Sequence, residues 1–284
     1  MDKSMDHPLI KIFQQLLPPR VVHRIEQISA SDRPVVAVIM SAFNHWEYTQ
    51  QALKSYYLSL DDRYHYIMVL IDDASSDKIP QQIENEIKSY DNMIYLRFKD
   101  NGGLTQTWNF GINFAIKRFK ADYIVLANND ILIPRGAIGL LVDGLTSTFE
   151  PAIIGPLTNC PGFHRETQDI RIYLPGYVPS TNLKDIERTL AQIRTLPVRE
   201  VHEINGFVWA GTRSAFLRNT FWNSVYSFNP LNRNTENEME FQKRSRDKGI
   251  KTFLGCNCFI FHYKDVTFNR VGQKIINADW IFRP

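Results

Sequence analysis

The first half of the chain alternates short apolar runs with longer amphipathic segments. The apolar runs are rich in Val and Ile and predict strands at 35–40, 66–71, 93–98 and 123–127. Apolar residues at helical spacing predict helices between them, at about 48–58, 79–90 and 104–119. Continuous apolar strands that alternate with helices are typical of a mostly parallel sheet covered on both faces. We therefore predict an α/β fold with a Rossmann-like central sheet flanked by helices.

The second half is less regular. Its pattern predicts helices at 136–145, 183–196, 214–218 and 236–248, and strands at 152–155, 201–210, 251–254 and 258–262. A polar, proline-rich region occupies 156–179. Since no repeat or low-complexity block separates the halves, we expect them to share one core.

Residues 1–33 precede the first predicted strand and are interpreted as a helical arm. Apolar residues recur at helical spacing from Ile10 to Leu17, and Pro18 ends that short helix. The arm either packs on its own domain or makes a peripheral contact with a membrane surface. The expected organisation is an arm at 1–33, a domain at 34–270 with halves 34–131 and 132–270, and a tail at 271–284.

Composition limits the classes of protein to consider. The hydrophobic content of 44% is normal for a globular protein, and the net charge of +3 does not imply a nucleic-acid partner. No apolar run approaches the roughly 20 residues that span a bilayer. Only three cysteines occur, Cys160, Cys256 and Cys258. Such a small number favours a reducing compartment, so a cytoplasmic protein is expected.

Polar residues follow three of the predicted strands. Asp72-Asp73 follows the second strand, Asn101-Gly102-Gly103 the third, and Asn128-Asn129-Asp130 the fourth. Carboxyl ends of parallel strands meet at one edge, where α/β proteins bind ligands. Oxygen ligands there suit Mg²⁺ or Mn²⁺ that also carries a substrate phosphate. Local turns and helix caps are the alternative, because Asn and Asp favour them.

These motifs, in this order, resemble inverting nucleotide-sugar glycosyltransferases of family 2, which have the GT-A fold. The resemblance covers about 34–265. It rests on Ser41-Ala42-Phe43-Asn44 after the first strand, Asp72-Asp73-Ala74-Ser75-Ser76-Asp77, the segment from Asn101-Gly102-Gly103 to Asn109-Phe110-Gly111, and Asn128-Asn129-Asp130. The last motif stands where the family has its DXD metal motif. Asn128 replaces the first Asp, so this site has one charge fewer.

The resemblance implies transfer of a sugar from a nucleotide-diphosphate donor to an acceptor hydroxyl with inversion, in glycan or polysaccharide synthesis. Asp130 would bind the divalent metal, Mn²⁺ or Mg²⁺. The residues that would contact the nucleotide sugar are Ser41, Phe43, Asn44, Asp72, Asp73, Asn101, Gly102, Gly103, Asn109 and Asn129.

The catalytic base is expected in the Glu-rich segment before Gly249. Counting back from Gly249 aligns Glu238 with the family's catalytic carboxylate, which is usually Asp, and Glu236 and Glu240 remain alternatives. Another interpretation is that these glutamates merely favour the N-terminus of a helix.

Three further residues match the family on the acceptor and metal sides. Gly206 and Trp209 belong to a segment that resembles the acceptor-side glycine loop, where Trp209 either stacks on a sugar or fills the core. His262 follows an apolar run and matches a C-terminal histidine that supplies a metal ligand or contacts the diphosphate. A purely structural histidine is the alternative.

Other functions remain open at this stage. A degenerate module that binds a nucleotide sugar without turnover would be consistent with Asn128 and the atypical Asn237-Glu238. A transferase acting on a protein or nucleic-acid acceptor is a further alternative. A sugar-nucleotide nucleotidyltransferase is disfavoured, because the segment after the first strand lacks the Gly-rich, Arg-containing loop expected of that class. The sequence specifies neither the sugar, the base nor the acceptor.

Overall fold

The computed structural model describes residues 32–76, 79, 81–148, 151–162, 165–221, 225–234 and 236–263. The predicted N-terminal arm, except for residues 32 and 33, and the predicted tail at 271–284 lie outside the described residues. Asp77 of the Asp-rich motif lies outside them too. In the described part of the chain, no helix has the length and apolar character needed to cross a membrane.

The first half follows the predicted alternation closely. Its elements are β1 Val35–Ala42, α1 Trp46–Ser59, β2 His65–Asp72, α2 Gln81–Ser89, β3 Met93–Arg97, α3 Leu104–Phe119, β4 Tyr123–Asn128 and β5 Ile131–Leu132. The second half contains α4 Ala137–Thr146, β6 Ala152–Leu157, α5 Arg165–Gln168, α6 Ile170–Tyr173, α7 Leu183–Ile193, β7 Val198–Glu200, β8 Val208–Thr212, α8 Arg213–Arg218, α9 Asn237–Asp247, β9 Lys251–Phe259 and β10 Phe261–His262.

Eight strands form one sheet in the order β3-β2-β1-β4-β8-β6-β9-β7. Strands β3, β2, β1 and β4 are parallel. Strand β8 then runs antiparallel to both β4 and β6, and β6 is parallel to β9. The predicted α/β fold is confirmed, and each antiparallel pairing of the described strands involves at least one strand of the second half.

Both halves contribute to the apolar clusters on the two faces of this sheet. Met40, Val125 and Leu254 are fully buried members of one cluster. Ile39, Leu126 and Phe241 are fully buried members of the other. Alternate residues of a strand point to opposite faces, which explains why Ile39 and Met40 belong to different clusters. The two halves therefore share their core, as expected, and the sheet divides that core into two apolar clusters, one on each face.

Three predicted strands of the second half differ from the structure. The strand expected at 201–210 is the shorter β8, and 201–207 is an irregular segment. There, the side chain of Gln242 accepts a hydrogen bond from Ile204 N and donates one to Ile204 O, so that side chain replaces a strand partner. The two strands expected at 251–262 are one long strand, β9, followed by the short β10.

The sheet directions bring one set of termini to a common edge. Strands β1, β2, β3, β4 and β6 all end at this edge, and the antiparallel β8 begins there. The segments that follow β1, β2 and β4 therefore lie beside the segment that precedes β8. We call this the site edge.

Several residues at the site edge have left-handed backbone conformations. Asn44, His45 and Ala74 have φ angles of 57°, 53° and 57°, and Glu236 has a φ of 62°. A Cβ atom makes this conformation costly, by roughly 1–2 kcal/mol per residue. Ala74 has no polar side chain to offset that cost, so its turn is strained.

We expect Ala74→Gly to raise the free energy of unfolding by about 0.5–1 kcal/mol. Relief of the left-handed strain exceeds the entropy that glycine adds to the unfolded chain. Urea denaturation measures the change. Ala191, which is exposed in α7, is the matched control. Ala191→Gly should lower stability by about 0.5–1 kcal/mol, and a loss of the same sign for Ala74→Gly would contradict the prediction.

Candidate active site

Asp130 and His262 approach each other at the site edge. Asp130 directly precedes β5, and β10 pairs antiparallel with β5 so that His262 lies opposite Ile131. The His262 Nε2 and Asp130 Oδ1 atoms are 3.3 Å apart. The two residues are 7% and 8% exposed. The structure thus brings together the two residues predicted to bind metal.

Phe207 connects this pair to the start of β8. Its ring stacks on the His262 imidazole, with centroids 4.9 Å apart and planes 17° from parallel. Its backbone oxygen accepts a hydrogen bond of 2.8 Å from Asn128 N. In the described part of the chain, His262 Nδ1 is buried without a hydrogen-bond partner. The ring is therefore oriented by stacking and by Asp130.

Glu238 lies in the first turn of α9 and packs over Gly206. A Cβ atom placed on Gly206 would stand 3.0 Å from Glu238 Cδ. Burial raises the pKa of the Glu238 carboxyl, while a hydrogen bond from its own backbone N–H acts in the opposite direction. Because Gly206 precedes Phe207, continuous contacts lead from Glu238 to His262 and Asp130.

The two competing glutamates have different surroundings. Glu240 is held by Arg244, whose Nη2 donates a hydrogen bond of 2.9 Å to Glu240 Oε2. Glu236 is exposed and precedes the helix in a left-handed conformation. In the described part of the chain no ion pair engages Glu238. Of the three, Glu238 therefore has the surroundings that suit a general base.

Asp73 binds the loop that follows β3. Its carboxylate accepts hydrogen bonds of 2.8 Å from both Gly102 N and Gly103 N. The Nδ2 atom of Asn101 donates a further bond of 2.9 Å. Burial raises the pKa of Asp73, while the two glycine N–H groups act in the opposite direction. Asp73 and 101–103 are brought together as predicted, but their polar groups bind one another.

The glycines of this loop make room for protein atoms. A Cβ atom on Gly103 would lie 2.4 Å from Arg233 Cγ and 2.7 Å from Asn234 Oδ1. Asn234 Oδ1 also accepts from Leu104 N at 3.0 Å, and Arg233 O accepts from Thr105 N at 3.1 Å. The backbone at Gly103 therefore packs closely against 233–234, and contacts of Gly102 and Gly103 with a nucleotide sugar remain a prediction.

Asp72 is completely buried and has protein partners. It accepts from Ser75 N at 2.8 Å and from Tyr95 Oη at 2.9 Å, and it forms an ion pair with Arg97. This carboxylate therefore holds the ends of β2 and β3 together. Sequence reasoning missed Tyr95 and Arg97, although a charged Arg97 at the end of an apolar strand was a signal.

The remaining predicted donor residues follow β1 and β4. Ser41 Oγ and Thr107 Oγ1 are 2.6 Å apart, in hydrogen-bond contact. Asn44 N donates to Ser75 Oγ at 2.7 Å, and Asn129 Nδ2 donates to Thr49 Oγ1 at 2.8 Å. Phe43 is half-buried. These residues lie at the site edge as expected, and their contacts with a nucleotide remain a prediction.

Two predicted site residues are structural. Trp209 is 1% exposed and packs against Phe216, Phe228 and Phe241, so it cannot stack on an acceptor sugar in this structure. Asn109 is 2% exposed, and both ends of its amide bond the backbone of Phe228. For Trp209 this is the second of the two predicted alternatives, and for Asn109 these surroundings favour a structural role. Motif position does not show which face of an element a side chain occupies.

A family model described as Glycosyl transferase family 2 matches residues 37–192, more than half of the chain. The chain therefore belongs to glycosyl transferase family 2. No curated protein matches it significantly. A similar solved structure is described as the crystal structure of GalNAc-T7 with UDP, GalNAc and Mn2+, with a TM-score of 0.60 and 15% identity.

That match covers 82% of this chain and 44% of the other chain, so this chain spans less than half the length of that protein. At such low identity the likeness concerns the fold. Together with the family match, it gives the fold as GT-A.

We expect Asp73→Asn to lower the free energy of unfolding by about 2–3 kcal/mol. Asparagine has one oxygen in place of two, so one of the glycine N–H groups loses its charged acceptor and faces an amide N–H₂. Guanidinium denaturation measures the loss. Asp100→Asn is the matched control, because Asp100 is exposed in the same loop. Equal, small effects of the two substitutions would contradict the assignment of Asp73 as the residue that holds this loop.

Proposed function

We propose that this protein transfers a sugar from a nucleotide-diphosphate donor to an acceptor hydroxyl, with inversion and with a divalent metal. The observation that supports this most is the series of contacts from Glu238 through Gly206 and Phe207 to His262 and Asp130. Through these two adjacent residues, the half-buried carboxylate of Glu238 is linked to a carboxylate–imidazole pair, whose groups are of a kind that binds metals. Membership of glycosyl transferase family 2 supports the same reaction class.

Asp130 and His262 fit a divalent cation. A carboxylate oxygen and an imidazole nitrogen 3.3 Å apart can turn to a common ion with small side-chain movements. Among the described residues no group of three or more His, Cys, Asp or Glu side chains is placed to bind a metal. Two protein ligands leave room for diphosphate oxygens and water. Carboxylate, diphosphate and water oxygens suit either Mn²⁺ or Mg²⁺. When bound, the ion would neutralise charge on the diphosphate.

The start of α3 has few free donors for a phosphate, which supports a role for a cation. Helix N-termini commonly bind phosphate through unpaired backbone N–H groups. Here Gly102 N and Gly103 N bond Asp73, and Leu104 N bonds Asn234. Phosphate charge that this helix does not stabilise must be balanced elsewhere at the site edge, and the Asp130–His262 pair supports that role for a metal.

The proposed chemical step is a direct displacement. The acceptor oxygen attacks the anomeric carbon and forms the new glycosidic bond, while the bond from that carbon to the diphosphate oxygen breaks. The acceptor proton passes to the Glu238 carboxylate. Attack opposite to the leaving group inverts the anomeric centre, which NMR of the first-formed product would verify. We propose Gly206 as part of the acceptor side, since it lies against the base.

We expect Glu238→Gln to lower kcat by about 100-fold or more while donor binding stays within about twofold, because the amide cannot take the proton. The activity of the unchanged enzyme should also fall as the pH drops through the raised pKa of Glu238, since the protonated carboxyl is no longer a base. Turnover of the donor in the presence of acceptor measures both effects.

Glu236→Gln is the matched control, because Glu236 is exposed and two residues away. It should retain nearly full activity. A Glu238→Gln variant as active as Glu236→Gln would exclude Glu238 as the base. Absence of turnover in the unchanged protein, with nucleotide binding intact, would favour the degenerate binding module instead.

We expect one of UDP, GDP, dTDP and CDP to raise the melting temperature, and Mn²⁺ to enlarge that rise. At 100 times Kd a ligand adds about 2.7 kcal/mol to the folded state. Asp130→Asn should remove the Mn²⁺-dependent part and leave most of the metal-independent part. Differential scanning fluorimetry measures both. No rise with any of the four nucleotides would contradict the proposed donor class.

A further inference from the structure

The backbone of His262 is held by a single side chain. Asn159 follows β6 and is 8% exposed. Its Nδ2 donates a hydrogen bond of 3.0 Å to His262 O, and its Oδ1 accepts one of 2.8 Å from His262 N. The same Nδ2 also lies 3.3 Å from Cys160 Sγ. One amide thus satisfies both backbone groups of the predicted metal ligand.

This pairing compensates for the shortness of β10. The strand has two residues, and it pairs with β5 through Phe261–Leu132 and His262–Ile131. Across this ladder Tyr263 N donates to Asp130 O at 2.9 Å. The N–H and C=O of His262 are directed to Asn159, so the amide occupies the place of a strand on the other side of β10.

We propose that Asn159 is a positioning residue for the metal site, acting through His262. This inference rests on the proposed function, because Asn159 can position the metal site only if His262 is a metal ligand. Groups that orient a metal ligand typically change metal affinity by about 10–100-fold when removed. Asn159 fixes the backbone that carries the imidazole, while Phe207 stacks on the face of its ring.

The chain contains a matched control with the same geometry. Asn109 Nδ2 donates to Phe228 O at 3.0 Å, and Asn109 Oδ1 accepts from Phe228 N at 2.8 Å. Asn109 is 2% exposed, and it makes its two bonds to a core phenylalanine that carries no metal-binding group. Replacing either asparagine by alanine removes two buried hydrogen bonds to the backbone of one residue. Of the two asparagines, Asn159 is the one that contacts the predicted metal ligand.

The test measures binding of Mn²⁺ itself, with and without UDP, from the electron paramagnetic resonance signal of the free ion. Both Asn159→Ala and Asn109→Ala should lower the melting temperature, so all titrations are made well below it. Asn159→Ala should raise the Mn²⁺ Kd at least tenfold, and Asn109→Ala should change the Kd measured without UDP by less than twofold. If Asn159→Ala does not fold, Asn159→Ser, which keeps a hydroxyl, replaces it.

A double-mutant cycle separates positioning from a direct role. In a His262→Ala background, adding Asn159→Ala should leave the Mn²⁺ Kd unchanged, because the ligand that Asn159 positions is already absent. Equal effects of Asn159→Ala and Asn109→Ala on Mn²⁺ affinity would overturn the positioning role of Asn159, and so would additive effects of Asn159→Ala and His262→Ala. Neither result would contradict the proposed metal site. Absence of Mn²⁺ binding by the unchanged protein under both conditions would overturn the proposed metal site as well.

Discussion

The antiparallel pairing of β8 with β4 is the contact on which the candidate site depends. Its register places Val208 opposite Ala127, so β8 begins where β4 ends. The segment before β8 carries Gly206 and Phe207, and the segment after β4 carries Asp130. A parallel β8 would start at the opposite edge, and its approach segment would be a strand length away from Asp130. One antiparallel strand thus joins the first half of the chain, which carries Asp130, to the second half, which carries Glu238.

The acidic residues of the site edge divide into two groups with different tasks. Asp72 and Asp73 are buried and have protein donors on both carboxylate oxygens, so their charge stabilises turns. A buried charge is tolerable only when it is paired or hydrogen-bonded, which these two residues achieve. Asp130 and Glu238 have fewer partners among the described residues, so their carboxylate oxygens are less fully hydrogen-bonded. The turn held by Asp73 packs against 233–234, shortly before the helix that carries Glu238.

Periodicity predicted most of the fold, whereas the roles of several site residues required the structure. The α3 boundaries were predicted correctly because a Gly-Gly turn and a helical apolar pattern coincide at Leu104. The meeting of Asp130 with His262 depends on the β5–β10 ladder, whose two-residue strands leave no periodic signal. Trp209 illustrates a different limit: it lies in a motif, but the alternation of a strand directs it into the core. Asn159 was missed because a two-point backbone contact has no sequence pattern.

Gly206 provides the space in which the side chain of Glu238 lies. A Cβ atom on Gly206 would lie 3.0 Å from Glu238 Cδ and 3.2 Å from both Cβ and Cγ, so the whole Glu238 side chain lies along this glycine. Any side chain at 206 would displace it. The extra methylene of glutamate therefore occupies space that glycine provides, and the carboxyl is removed from water, which raises its pKa. A base with a raised pKa accepts a proton more readily, provided that it is ionised at the working pH. The missing side chain at 206 thus accounts for the close packing of Glu238, and burial of its carboxyl raises the pKa.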